Sequence, residues 1–124
     1  MRLILAGKKG KWTIGFSFAW HGLAFMLKTE RNFRIHLTVA LLVVISSYFF
    51  QLTKVEWLFV IFSIGIVLVS EIFNTTVEKT IDYIQPDIHP AAKQIKDAAA
   101  GGVLVAAITA AIIGIIIFLP KIFS

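Results

Sequence analysis

Runs of apolar residues separated by polar segments predict four helices, at about residues 12–28, 34–51, 55–84 and 97–120. The third of these includes a polar extension after an apolar run that ends at residue 73. A helix of roughly 20 apolar residues is long enough to cross the hydrocarbon core of a membrane. The last three runs therefore predict membrane-spanning helices, the second of which continues beyond the membrane. The first run is short and is broken by glycine and histidine, so we expect an amphipathic helix in the membrane interface, with a strained span as the alternative.

The composition supports a membrane protein rather than a soluble one. The chain has 124 residues, of which 58% are hydrophobic and 15% charged. A soluble domain of this size has too little interior to bury so much apolar surface. The predicted fold class is all-α integral membrane, with one domain over residues 1–124. The absence of cysteine from the sequence excludes disulfides and thiolate chemistry.

Basic residues lie mostly on one side of the predicted spans. The net charge is +5, but the basic residues are distributed between apolar runs, which indicates membrane topology rather than nucleic-acid binding. Lys54 and Lys121 fall on the opposite side. The positive-inside rule then predicts a cytoplasmic N-terminus and an external C-terminus. The residues on the cytoplasmic side are Arg2, Lys8, Lys9, Lys11, Lys28, Arg31, Arg34, Lys79, Lys93 and Lys96.

Polar residues recur on one helix face where the second span ends. Glu71, Asn74, Glu78 and Asp82 are three, four and four residues apart. At roughly 100° per residue they fall within an arc of about 80°. Like charges this close repel unless a cation or a proton lies among them. A solvated polar face is the simpler interpretation, but Glu71 lies within the apolar run, where an ionisable group indicates function.

These residue types suit phosphoryl transfer. Carboxylate and amide oxygens are ligands for Mg²⁺, which usually also binds substrate phosphates. Phosphoryl transfer needs that metal, basic side chains that balance the phosphate charge, and a carboxylate that orients or deprotonates the attacking hydroxyl. Glu71 lies deepest and is the expected base for a hydroxyl that arrives from within the bilayer. The histidines at 21, 36 and 89 show no paired metal-ligand spacing.

Small residues recur at every fourth position of the last run. Such a ridge allows another helix to approach closely, so we interpret it as a packing signal. Its members are Ala98, Gly102, Ala106, Ala110 and Gly114.

Three motifs together resemble one family. Residues 71–78 with Asp82 resemble the E-x-x-N-[ST]-x-[IV]-E-x-x-x-D signature of the small prokaryotic diacylglycerol kinases. Residues 96–101 are similar to their second signature, and residues 30–34 resemble their E-x-x-F-R hinge. The resemblance covers nearly the whole chain. It implies a homotrimer in the bacterial plasma membrane, with three spans and an N-terminal surface helix in each protomer.

The resemblance also implies roles for individual residues. Glu71 corresponds to the catalytic base, and Glu30 and Glu78 correspond to the positions that bind Mg²⁺. The lipid substrate would contact Asn32, Arg34 and Glu71. Lys11 stands where the family often has arginine, and a lysine lacks the bidentate fork. The positions that correspond to binding of ATP are Lys11, Glu30, Asn74, Glu78, Asp87, His89, Lys96 and Asp97.

The lipid is suggested by the branch of the family. Residues 29–36, 89–93 and 114–120 resemble the Gram-positive branch, whose members resemble undecaprenol kinases, and His36 stands where the other branch typically has a carboxylate. The expected reaction is ATP- and Mg²⁺-dependent phosphorylation of undecaprenol to undecaprenyl phosphate. Diacylglycerol is the alternative substrate. A small oligomeric carrier of protons or cations is the alternative of another class, although the charges lie at one membrane face without a polar path across.

Overall fold

A computed structural model describes the backbone of residues 11–124 and the side chains of residues 15–124. Over this range the chain forms four helices and no strand. They are α1 (Lys11–Thr29), α2 (Arg31–Phe49), α3 (Lys54–Ile84) and α4 (Pro90–Ile122). The expectation of an all-helical fold is confirmed.

The contacts of the chain divide it into two units, the first of which ends at Arg31. This first unit contains α1. Phe16 and Trp20 of α1 are exposed, and the backbone N–H of Glu30 donates to the carbonyl oxygen of Met26 at the end of the helix. The orientation of α1 on a membrane surface stays a prediction.

The second unit begins at Asn32 and contains α2, α3 and α4. Each of these helices is long and apolar enough to cross a membrane. In their most apolar windows only 11%, 17% and 11% of the residues are buried within the chain. Their apolar side chains therefore face outward, as expected where lipid or another protein replaces water. The expectation of three helices with membrane-spanning character is confirmed.

Hydroxyl groups in these helices mostly satisfy their hydrogen bonds within their own helix. A serine or threonine hydroxyl that donates to the carbonyl of the preceding turn needs no other partner in an apolar environment. The bonds of this type include those from Ser47 to Val43 (2.7 Å), from Ser70 to Val67 (2.8 Å) and from Thr109 to Val105 (2.8 Å).

The packed core lies where α2 ends, α3 begins and α4 ends. Leu52, Val60 and Ile117 form a buried cluster there. The rings of Phe50 and Phe118 meet edge to face with their centroids 6.0 Å apart. Helices α3 and α4 form the principal helix pair of the described chain. The buried apolar cluster of the second unit therefore lies at this end of the helices.

Helix α3 begins with a capping box. The Thr53 hydroxyl accepts a hydrogen bond from the Glu56 backbone N–H (3.2 Å), and the Glu56 carboxylate accepts one from the Thr53 N–H (2.9 Å). This reciprocal pair satisfies two backbone donors that a helix start leaves without partners. Glu56 also forms an ion pair with Lys121 of α4, at 3.1 Å. Gln51, just before the cap, adopts φ 54°, which reverses the chain in the tight turn.

Helix α4 begins at Pro90, seven residues before the predicted span at residue 97. A proline is favoured in the first helical turn because its missing N–H would have no partner there. The ring Nδ1 of His89 accepts a hydrogen bond from the Ala91 N–H (3.1 Å) and caps the helix. The polar connection to α3 is therefore only residues 85–89.

Only some of the small residues on the α4 ridge are packed against other parts of the chain. Ala106 is buried. In contrast, a Cβ atom added at Gly102 or Gly114 would meet no heavy atom within 4 Å. Within the described residues, the close helix approach that the ridge predicts does not occur at these two glycines.

Candidate functional site

The start of α2, the end of α3 and the start of α4 lie away from the packed core, because α2 ends, α3 begins and α4 ends at that core. One apolar cavity of about 420 Å³, lined by His36 of α2, Leu68 of α3 and Ala107 of α4 among others, extends to the packed core, where Val60 and Phe118 also line it. An ion pair between Asp82 and Lys96 joins the end of α3 to the start of α4. The predicted site residues of α2, α3 and α4 therefore lie towards the same end of the unit.

The polar face of α3 is buried at its apolar end. Glu71 is 3% exposed and Asn74 is 9% exposed, and Thr75 beside them is also buried. Glu71 lies 17 residues after Lys54, which corresponds to about 25 Å along the helix. Burying a carboxylate costs free energy, so an ionisable side chain at this depth of an apolar helix indicates function.

The side-chain oxygen of Asn74 differs from the other polar groups described on this face. This atom, Oδ1, is buried and has no hydrogen-bond partner within the described chain. A buried acceptor without a partner costs roughly 1–3 kcal/mol. The hydroxyls of the same helix mostly avoid this cost by bonding to their own backbone. The Asn74 oxygen is thus a preformed acceptor for a cation or for a donor on a bound molecule.

The donor set fits magnesium when a nucleotide supplies the remaining ligands. Glu78, one turn after Asn74, is half-buried on the same face. No three histidine or acidic side chains of the described residues lie close enough together to hold a metal by themselves. Mg²⁺ does not require such a cage, because it is commonly held by one or two carboxylates, substrate phosphates and water. Glu78 and the Asn74 oxygen offer oxygen ligands of this kind.

Two ion pairs organise the start of α4. The Lys96 ammonium lies 2.7 Å from the Asp82 carboxylate. The Lys93 ammonium lies 2.6 Å from the Asp97 carboxylate, one turn along the same helix. The charges of Glu78 and Asp97 also act on Lys96. The structure thus brings the predicted nucleotide residues Glu78, Lys96 and Asp97 into one electrostatic cluster.

Four other predicted residues of the second unit are exposed. Asp87 and His89 are exposed in the connection between α3 and α4. Because Nδ1 of His89 caps α4, its remaining nitrogen Nε2 is the one that could meet a ligand. Asn32 and Arg34 are exposed in the first turn of α2.

Two predicted residues precede the second unit. The Glu30 carboxylate is half-buried and accepts a hydrogen bond from the Thr29 hydroxyl (2.8 Å). Lys11 is the first residue of α1, and its side chain lies outside the described residues. Both assignments stay predictions.

One residue acquires a contact that sequence reasoning did not assign. Asp82 belongs to the predicted polar face, but its pairing with Lys96 was not foreseen. The two residues are 14 positions apart and lie on different helices. Their spacing in the sequence gives no signal, since the contact depends on how α3 and α4 pack.

Comparisons with known proteins agree on one family. The family model described as prokaryotic diacylglycerol kinase matches residues 17–118. This match covers well over half of the chain and includes every predicted site residue except Lys11.

The individual relatives are described as kinases of two different lipids. The chain is 42% identical to the undecaprenol kinase of Bacillus subtilis over 106 residues, which covers 86% of each protein. It is 34% identical to a diacylglycerol kinase of Synechocystis over 90% of this chain and 64% of that protein. It is 28% identical to the diacylglycerol kinase of Escherichia coli K12 over 77% of this chain and 78% of that protein.

Proposed function

The chain belongs to the prokaryotic diacylglycerol kinase family and is a lipid kinase, and on this basis we propose that it phosphorylates undecaprenol. A kinase of this family implies ATP as the co-substrate. The proposed reaction transfers the γ-phosphoryl group of ATP to the terminal hydroxyl of the lipid. Undecaprenyl phosphate and ADP are the products.

One observation supports the choice of lipid most directly. The relative described as an undecaprenol kinase shares 42% identity over 86% of both chains, whereas the diacylglycerol kinases of Synechocystis and Escherichia coli share 34% and 28%. Both lipids present a primary hydroxyl, so the mechanism would be the same for either.

Glu71 is the proposed general base. It is almost fully buried on the apolar part of α3, where a hydroxyl anchored in the bilayer can reach it. The carboxylate takes the proton of the hydroxyl while the hydroxyl oxygen attacks the γ-phosphorus. The bond from that phosphorus to the oxygen bridging it to the β-phosphorus breaks, and this oxygen leaves with ADP.

The nucleotide and its metal are proposed to lie beyond Glu71, towards the end of α3. Glu78 and Glu30 are the proposed ligands of Mg²⁺, and the Asn74 oxygen supports them. When bound, the metal would neutralise charge on the phosphate oxygens. Glu78 lies about 10 Å farther along the helix axis than Glu71. The unpartnered oxygen of Asn74 between them supports a bound group at this place.

The remaining residues are proposed to hold the two substrates. Lys96 would contribute an ammonium to the phosphates, as lysines commonly do in phosphate sites. Asn32 and Arg34 at the start of α2 would contact the lipid near its headgroup. The further residues proposed to contact ATP are Lys11, Asp87, His89 and Asp97.

The proposed setting is the bacterial plasma membrane, with the N-terminus and the site on the cytoplasmic side. This orientation rests on the distribution of lysine and arginine. We propose an oligomer of this chain, because the three spans alone bury little surface around the site, and a homotrimer because the resemblance to the family implies one. Copies of the chain and lipid together would cover the exposed apolar surfaces of α2, α3 and α4.

The decisive experiment offers both lipids to the purified protein. Undecaprenol and diacylglycerol are presented in separate mixed micelles with ATP labelled at the γ-phosphate, and the labelled lipids are separated and counted. We expect a higher kcat/KM for undecaprenol. Faster labelling of diacylglycerol would replace the proposed substrate, and no label on either lipid would contradict the proposed reaction.

A further inference from the structure

Asp82 has no role in the reaction proposed above, yet it directly contacts Lys96, a residue proposed to bind ATP in that reaction. Its Oδ1 lies 2.7 Å from Nζ of Lys96, across the interface of α3 and α4. The Lys96 side chain is 35% exposed. An ion pair this accessible to solvent contributes little to stability. A purely structural role therefore explains the contact poorly.

The position of Asp82 determines where the Lys96 ammonium lies. Asp82 is four residues after Glu78, which places it one turn farther along the same face of α3. A lysine side chain has a flexible four-carbon stem, so its ammonium can occupy many positions. Its pairing with Asp82 holds the ammonium beside that face, where the charge of Glu78 also acts on it.

Asp97 does not provide this contact in its place. Its carboxylate pairs with Lys93 at 2.6 Å, one turn back on α4. Among the described residues, Asp82 is the recorded ion-pair and hydrogen-bond partner of the Lys96 ammonium. An ammonium has three N–H donors. A single bond to Asp82 fixes its place and leaves two donors for phosphate oxygens.

We propose that Asp82 is a positioning residue for phosphoryl transfer, which holds the Lys96 ammonium beside Glu78 for the phosphates of ATP. The inference rests on the proposed function, because it requires Lys96 to contact the nucleotide. It predicts that loss of Asp82 impairs the use of ATP and not the use of lipid.

The same helix pair supplies a matched control. Glu56 of α3 and Lys121 of α4 form an ion pair at 3.1 Å at the opposite end of the two helices. Glu56→Gln and Asp82→Asn each remove one carboxylate charge from the interface of α3 and α4. Only Asp82→Asn removes it beside the proposed site.

The test uses the full-length protein in mixed micelles, with rates measured against ATP at saturating lipid and against lipid at saturating ATP. Asp82→Asn should lower kcat/KM for ATP by about tenfold or more, since displacement of a catalytic group by 1 Å can cost about a hundredfold. The KM for lipid should not change. Asp82→Glu should recover part of the loss, and Glu56→Gln should leave both parameters at the wild-type values.

A double-mutant cycle with Lys96→Met separates the possible failures. If Asp82 acts through Lys96, then Asp82→Asn causes no further loss in the Lys96→Met background. An undiminished effect of Asp82→Asn in that background, or wild-type kinetics of Asp82→Asn itself, would overturn the inference and leave the proposed function in place. Wild-type kinetics of Lys96→Met would instead remove the proposed role of Lys96, and the inference with it.

Discussion

The replacement of Glu71 by glutamine tests the proposed base with little change in shape. The amide occupies nearly the same volume as the carboxylate but cannot accept the proton of a hydroxyl. Glu71 is 3% exposed, so bulk water has little access to replace it as a base. A positioned general base contributes roughly 10²- to 10⁴-fold to a rate. We therefore expect kcat to fall by about a thousandfold.

The fold should tolerate this change. A buried carboxylate loses favourable hydration, and a neutral amide loses much less. Glu71→Gln also keeps the volume of the side chain, so it should remain folded under the assay conditions, which thermal unfolding in detergent checks. The KM for ATP should stay near its wild-type value, because Glu78 and Lys96 would still bind the nucleotide.

Two further variants allow the loss of kcat in Glu71→Gln to be compared with an intermediate change and with a control. Glu71→Asp keeps the charge but withdraws it by about one carbon–carbon bond, and misplacement by 1 Å can cost about a hundredfold. We expect its activity to lie between those of wild type and Glu71→Gln. Thr76→Ala serves as the control, because Thr76 is exposed and its hydroxyl bonds to the Ile72 carbonyl of its own helix. Single-turnover transfer from labelled ATP is the assay. A Glu71→Gln rate within about tenfold of wild type would refute the assignment of the base.

Two further predictions concern α3. Asn74→Leu should greatly reduce lipid phosphorylation. It should not lower the thermal stability in detergent, because it removes a buried acceptor that has no partner in the described chain. A loss of stability with normal kinetics would identify Asn74 as a structural residue. Thr53→Ala should lower the free energy of unfolding by about 1 kcal/mol, because it removes the N-cap of α3. Its kcat should match that of wild type below the unfolding transition, and a selective loss of kcat there would show that the two ends of α3 are coupled.

The sequence predicted the features that depend on local pattern. The apolar run of residues 55–73 and the polar face that continues from it to Asp82 are both part of the single helix α3. Its capping box was also available in the sequence, since Thr53 and Glu56 match the S/T-x-x-E pattern just before an apolar run.

The features that the sequence did not predict depend on packing between helices. The pair of Asp82 with Lys96 and the pair of Glu56 with Lys121 both require the register of α3 against α4. Apolar periodicity fixes which residues face a neighbouring helix but does not fix how far one helix slides along the other. Helix α4 extends seven residues ahead of the predicted span at residue 97, because proline is tolerated in the first helical position, where its missing N–H would have no partner.

The central claim is a division of roles along one face of α3, with Glu71 acting on the lipid and Glu78 on the metal and nucleotide. The most direct test is the equilibrium binding of Mn²⁺–ATP to the purified protein without lipid. Binding is monitored by the loss of the free Mn²⁺ signal in electron paramagnetic resonance. Mn²⁺ is suitable because it accepts the same oxygen ligands as Mg²⁺. We predict that Glu71→Gln binds Mn²⁺–ATP as wild type does, whereas Glu78→Gln binds it about tenfold or more weakly, since even a change next to a ligand commonly costs that much. Equal binding by wild type and Glu78→Gln, or an equal loss in both variants, would contradict the claim.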